Sequence, residues 1–276
     1  MKKNKFLFCI GLLLTVATIV NAQSVTWISS TEGNVWQKSK VKLQSKSEQN
    51  PVLQVDGTEN GVAFKNWGTT FNELCWDALG LLTRTEQDEI LYNIFSPQGD
   101  LRITRGRISM GANDYARSWY SCDEVEGDFE LRYFNINRDK QTIIPFIRAA
   151  QKYNPNLTFW ISPWCPPSWM KINGDYPVLS SPFNSLSEKQ NYLLYGATGG
   201  QVDENEMKLT GARDGVFPRQ LATTDFMIQD PRYLQTYADY FCRFIDAYKE
   251  QGIPIDMVMY QNEAYSYTPY PGCCLL

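Results

Sequence analysis

Met257-Val258-Met259-Tyr260-Gln261-Asn262-Glu263 is an apolar, β-prone run that ends in two amides and a carboxylate. A helical signature leads into it. Asp230 stands as N-cap with Pro231 in the first turn, and Leu234, Tyr237, Phe241, Phe244, Ile245 and Tyr248 form an apolar face that Gly252 terminates. Helix, short turn, apolar strand and polar strand end together make one β/α unit. A carboxylate just past a buried strand is how a parallel β/α barrel presents a proton donor, because such barrels work at the carboxyl ends of their strands.

The same pattern runs upstream. Val62-Ala63-Phe64 reads as a first short strand, followed by a turn over Asn66 to Thr70 and helices over Asn72 to Leu82 and about Glu86 to Phe95. Leu101 to Ile108 reads as the second strand. A helix from about Asp139 to Tyr153 gathers Ile143, Ile144, Ile147 and Ala150 on one face, and Leu157 to Ile161 is the third strand. A long irregular stretch, about Lys171 to Asp225, precedes the unit quoted above. Four β/α steps imply a parallel sheet, either an open doubly wound sheet or half of an eight-stranded barrel. No Gly-x-Gly-x-x-Gly or phosphate loop follows the first strand, which disfavours the nucleotide-binding open sheet. At about 50 residues per step a complete barrel takes about 400, within the range for barrels with insertions. The expectation is the N-terminal half of a (β/α)8 TIM barrel over residues 59–276.

Residues 1–22 read as a secretory signal peptide: a basic Met1-Lys2-Lys3-Asn4-Lys5, an apolar Phe6 to Val20 too short to span a bilayer, and a small-residue site at Val20-Asn21-Ala22. A secreted or periplasmic location follows, with no transmembrane anchor once the signal is removed. Residues 23–58 are polar, Ser- and Lys-rich, with short alternating stretches such as Val25 to Trp27 and Val52 to Gln54. Such strands cannot bury a core alone and are expected to join a sheet elsewhere, a side β-sandwich beside the barrel.

Composition narrows the chemistry. A net charge of −4 without basic blocks argues against nucleic acid or an anionic membrane as partner. The 276 residues contain no histidine, which removes Ser-His-Asp and Cys-His nucleophile systems and most catalytic zinc sites. Acid/base work must rest on Asp, Glu, Tyr, Lys or Cys, and no metal and no cofactor is called for. Beyond the leader, Cys75, Cys122, Cys165, Cys242, Cys273 and Cys274 are widely spaced, as expected of mostly buried thiols. Aromatics make up 14%, enough for flat platforms as well as core filling.

The strand ends are polar and aromatic where the strand bodies are apolar. They are Thr70 to Asp77, Ser109 to Tyr115, Ser162-Pro163-Trp164-Cys165-Pro166-Pro167-Ser168-Trp169-Met170-Lys171, and Asn262-Glu263. These segments, in this order, resemble glycoside hydrolase family 30, a family that includes glucosylceramidases, endo-β-1,6-glucanases and xylanases. The similarity runs from about Val62 to Cys273; Ser162 to Lys171 and Gln261-Asn262-Glu263 carry most of it.

The resemblance implies a secreted retaining β-glycosidase acting on β-1,6-glucan or a related β-glucoside, with glucosylceramide, xylan and fucosides also open. Glu263 would be the acid/base, held protonated by apolar surroundings or by a partner carboxylate. Asn262 would bind the 2-hydroxyl, Asp114 the hydroxyls of the sugar in the −1 position, and Trp164 would lie near that sugar. Tyr115 and Tyr265 are further cleft candidates, Trp169 reads mainly as core, and Glu73 as a helix first-turn carboxylate. The family's nucleophile lies at the end of the seventh strand, outside this chain. The alternative is therefore a catalytically inactive fragment with at most weak carbohydrate binding. Ala264, where many members have Pro, departs from the pattern without touching the chemistry.

Overall fold

The computed structural model describes residues 24–42, 64–186, 226–228, 230–264, 266 and 268–273. The signal segment 1–22, the stretch Val52 to Gln54, Val62, Ala63, Tyr265 and most of the irregular stretch before Asp225 lie outside the described residues. The chain divides into two units, Met1–Ala63 and Phe64–Leu276.

In the first unit, β1 (Ser24–Thr31) and β2 (Asn34–Lys42) form an antiparallel hairpin that pairs Val25 with Val41 and Trp27 with Ser39. Gly33 turns the chain in the left-handed region at φ 77°. Trp27, Val35 and Trp36 stay exposed, as expected of two strands without a packed face.

The second unit is built on four parallel strands: β3 (Gly68–Phe71), β4 (Arg105–Ser109), β5 (Thr158–Ser162) and β6 (Ile255–Val258). Their order in the sheet is their order in the chain. A doubly wound sheet reverses direction at a switch point; a barrel keeps going the same way round. The order therefore selects the barrel. Phe71, Ile108, Ile161 and Val258 stand in register across all four strands.

Helices α1 (Glu73–Gly80), α2 (Arg84–Phe95), α3 (Ile143–Gln151) and α4 (Pro231–Glu250) accompany the strands. The core lies between sheet and helices. Phe71 packs its ring 4.7 Å from Phe146 of α3 and 5.7 Å from Phe95 of α2. Gly106 makes that packing possible: a Cβ there would meet Phe71 at 2.5 Å and Phe159 at 2.8 Å. Because side chains alternate along a strand, Arg105 and Arg107 face the other way, toward the barrel interior.

Several boundaries differ from the sequence expectation. The first strand is Gly68–Phe71, where a turn was expected, and Phe64 is not in a strand. Gly68 packs close to the Arg105 carbonyl, and Thr69-Thr70-Phe71 supply the β-prone side chains. The second strand starts later, because Arg102 turns the chain at φ 53°. Helix α2 starts earlier, at a capping box in which Glu86 accepts from the Thr83 amide at 2.8 Å. The expected helix from Asp139 is a 3-10 turn, Asp139–Gln141, followed by α3. The fourth strand is Ile255–Val258, so Met259, Tyr260 and Gln261 lie beyond it.

The face of α4 is also rotated. Tyr233, Tyr237, Tyr240, Phe244 and Tyr248 are buried, while Leu234 is exposed. Two of these tyrosines find hydroxyl partners there. Tyr240 accepts from the Cys122 amide at 2.8 Å, and Tyr248 donates to Asp139 at 2.6 Å. Leu234, Phe241, Val258 and Tyr260 instead line an open apolar hollow of about 400 Å³ beside the outer edge of β6. Of the described cysteines, Cys75 and Cys242 are exposed and Cys122, Cys165 and Cys273 are buried.

Asn72 caps α1 by accepting from the Cys75 amide at 2.9 Å. The next residue, Glu73, is 1% exposed and accepts from Arg138 at 2.6 and 2.9 Å and from the Arg117 amide at 2.8 Å. Burial works to raise its carboxyl, but Arg138 and the Arg117 amide outweigh burial and hold it below the usual range. Two outcomes are expected. Gly106→Ala lowers the unfolding free energy by about 1–3 kcal/mol through overpacking, read from the denaturant midpoint. Glu73→Gln costs about 1–3 kcal/mol, because the buried acceptor loses its charge and the half-buried Arg138 its ion pair. A depressed folded-state carboxyl stabilises above its unfolded value. The wild-type excess over Glu73→Gln should therefore shrink as pH falls below about 4.

Candidate active site

Arg107 stands at the centre of the strand ends. Its Nη2 donates to Asn262 Oδ1 at 2.7 Å and to Ser162 Oγ at 3.1 Å. Its guanidinium lies 4.0 Å from the centre of the Trp164 ring and 4.9 Å from that of Trp160. One cation thus joins β4, the end of β5 and the segment after β6.

The loops are fastened to one another by backbone groups. The Asn262 amide donates to Pro163 O at 2.8 Å, and Gln261 Nε2 donates to Trp164 O at 2.7 Å. Farther out, the fully buried ammonium of Lys171 donates to Tyr176 O at 2.6 Å, Pro177 O at 3.0 Å and Gly272 O at 2.8 Å. It ties the loop after β5 to the loop after β6. On the β4 side, Asn113 donates to Ser109 Oγ at 2.5 Å and accepts from the Tyr115 amide at 2.7 Å, which orders the turn that carries Asp114.

Asp114 accepts from Trp164 Nε1 at 3.4 Å. Burial raises its carboxyl, and the charge of Glu263 adds to this, while the Trp164 bond and the Arg107 charge oppose it. Burial lowers the Arg107 guanidinium, against the pull of Asp114 and Glu263. Arg107, Asp114 and Glu263 therefore form one electrostatic cluster. Glu263 has φ 49°, a left-handed conformation that is uncommon outside glycine and concentrates at functional sites. Its carbonyl accepts from the Ser266 amide at 2.9 Å, and its side chain is exposed. The described residues do not supply the apolar surroundings expected around it. The Tyr270 hydroxyl lies within hydrogen-bonding reach of the Glu263 carboxylate; burial raises that phenol, and Glu263 and Asp114 raise it further.

The structure brings together Glu263, Asn262, Asp114 and Trp164. Tyr115 is exposed nearby. Trp169 is not in the cleft: it is 2% exposed and donates to Asp123 O at 3.0 Å. Glu73 is committed to Arg138. Sequence reasoning missed Arg107 and Tyr270. Arg107 had a usable signal, an arginine two residues before the polar end of a strand; Tyr270 had none stronger than a tyrosine seven residues past Glu263. Among the described residues no group of three or more Cys, Asp or Glu is placed to hold a metal ion.

The arrangement suits a polyhydroxylated ligand. It offers a fixed amide, an open carboxylate beside it, a second carboxylate and an indole wall. A parallel β/α sheet in barrel order with this cluster at its strand ends matches what a β/α barrel that handles sugars presents. Comparison with known proteins points the same way. Residues 64–181 match the family model described as Glycosyl hydrolase family 30 TIM-barrel domain. A glucosylceramidase homologue of Caenorhabditis elegans is 27% identical over 250 residues, covering 90% of this chain and 40% of its own length. The Endo-1,6-beta-D-glucanase neg1 of Aspergillus fumigatus is 26% identical over 231 residues, covering 82% of this chain and 40% of its own. The solved structure of the endo-beta1,6-glucanase BT3312 superposes with a TM-score of 0.59 at 20% identity, covering 90% of this chain and 45% of that one. The chain thus spans about two fifths of the curated relatives it matches, as a partial barrel.

Replacing Arg107 with Met removes the charge that opposes the Asp114–Glu263 repulsion. The Asp114 carboxyl should then titrate about one pH unit higher, as followed by carbon NMR of labelled aspartate.

Proposed function

We propose that this chain carries the acid/base half of a secreted, retaining β-glycosidase that cleaves β-glucosidic bonds, with β-1,6-glucan or a related β-glucoside as substrate. The observation that carries the reading is the Arg107–Asn262 bond of 2.7 Å, which sets the amide and places Glu263 beside it at the mouth of the barrel. In the proposed reaction the glycosidic oxygen takes a proton from Glu263 while a carboxylate nucleophile attacks the anomeric carbon. Glu263 then deprotonates the water that releases the glycosyl-enzyme. Asn262 contacts the 2-hydroxyl, and Asp114 and Trp164 hold the same sugar. The open geometry around Glu263 fits this division of labour, because the second carboxylate and the rest of the pocket wall would come from further strands of the barrel.

A second reading has its own support. The outer edge of β6 is unpaired among the described strands, and Met257, Val258, Met259 and Tyr260 are exposed along it. On that ground residues 1–276 alone are inactive, with at most weak carbohydrate binding.

The test is hydrolysis of an aryl β-glucoside and of β-1,6-linked glucan oligosaccharides by the protein from its native source and by residues 1–276 alone. The native protein should release the β-anomer first, and Glu263→Gln should lower turnover of the oligosaccharides by about 10²–10⁴-fold. Activity unaffected by Glu263→Gln would sink the assignment of the acid/base. Hydrolysis by the mass-verified 276-residue chain would remove the inactive reading.

A further inference from the structure

The turn Cys122 to Asp128, between β4 and the 3-10 turn Asp139–Gln141, contains a group that the cleft chemistry does not use. Asp123 is 2% exposed. Its Oδ1 accepts from the Val125 amide at 3.0 Å, but its Oδ2 is buried and accepts from no N–H or O–H among the described residues. The group within hydrogen-bonding reach is the carboxyl of Asp128, itself buried, whose Oδ2 accepts from the Tyr133 amide at 2.9 Å. Two ionised carboxylates are acceptors only, so a hydrogen bond between them requires a proton. One shared proton accounts for the orphaned oxygen.

The turn grips the cleft wall. Asp123 O accepts from Trp169 Nε1 at 3.0 Å, and Glu124 accepts from the Ser168 amide at 3.1 Å and from Ser168 Oγ at 2.5 Å. Ser168–Met170 is a 3-10 turn, and the segment just before it, Trp164 to Pro167, forms the indole side of the site.

We propose that Asp123 and Asp128 share a proton that latches this turn onto Ser168–Met170, and that loss of the proton loosens the wall bearing Trp164. The latch stands on its own geometry; its effect on catalysis rests on the glycosidase reading. The groups facing the pair are Glu124 and Cys122 from the same turn, and Arg132, which acts on Asp128. Helix α4 adds Tyr233, 4.9 Å from the Phe129 ring, and Arg232, 5.0 Å from it. Burial pushes the Asp123 carboxyl up to about 6; the Val125 amide opposes this, and Asp128 and Glu124 add to it. A raised folded-state carboxyl stabilises fully below its unfolded value and loses that contribution as pH rises through about 6. Asp139, pushed up to about 6 mainly by burial, acts in the same direction and has to be separated by variants.

The test titrates carbon-labelled aspartate from about pH 4 to about pH 8 in wild type, Asp123→Asn and Asp128→Asn, and follows exchange of the Trp169 indole proton. The wild type should show a carboxyl titrating near pH 6 that vanishes in Asp123→Asn. In Asp128→Asn the new amide donates in the proton's place. Asp123 should then titrate at least about one pH unit lower, and Trp169 protection should persist at neutral pH. An Asp123 already ionised at pH 5 in wild type overturns the proposal. So does Trp169 protection that is the same function of pH in wild type and Asp128→Asn. In the active protein, Asp128→Asn should move the alkaline limb of the activity profile up by about one pH unit; an unmoved limb overturns the coupling to the cleft. The expected titration and exchange in a native-source protein without hydrolysis support the latch and count against the glycosidase reading.

Discussion

A guanidinium in the middle of a parallel sheet is tolerable only if its surroundings answer it. Arg107 sits where a barrel interior ordinarily holds branched aliphatic side chains. It cannot shed its charge, and burial penalises that charge by several kcal/mol unless partners replace water. The partners come from separate parts of the chain: Ser162 at the end of β5, Asn262 after β6, the faces of Trp160 and Trp164, and the fields of Asp114 and Glu263. These groups converge because four strands run parallel and in order, so that their carboxyl ends reach the same side. The cation is thus both a demand on the fold and the means by which the fold assembles a site.

Much of this was legible in the sequence. Asp230-Pro231 announced the start of α4, and Gly252, at φ 68°, its end. The apolar residues of β5 and β6 and the polar strand ends indicated the parallel order and, with the family resemblance, directed attention to Glu263, Asn262, Asp114 and Trp164, which the fold brings together. What stayed hidden depends on tertiary partners. Hydrophobicity favours Leu234 over Tyr240 for the buried face of α4, yet Tyr240 is the one beside a backbone amide that needs an acceptor. Gly68-Thr69-Thr70 reads as part of a turn until the neighbouring strand is present to pair with it.

The described site is asymmetric in its wetness. Trp164 is buried and its loop is fastened by the Lys171 ammonium, whereas Glu263 stands in the open. The side of the site that bears Glu263 is thus open to water, and the side that bears Trp164 is closed to it. The match of residues 64–181 to a TIM-barrel family model and a span of about two fifths of the curated relatives agree with a pocket to which other strands contribute.

The sequential order of the sheet has a consequence for how it is made. Of the four parallel strands a chain emerging from the ribosome offers β3 first, and each later strand pairs with the one synthesised just before it. No strand has to be inserted between two that have already met, and none has to wait for a partner made later. The growing sheet is a queue in which each newcomer stands next to the last arrival.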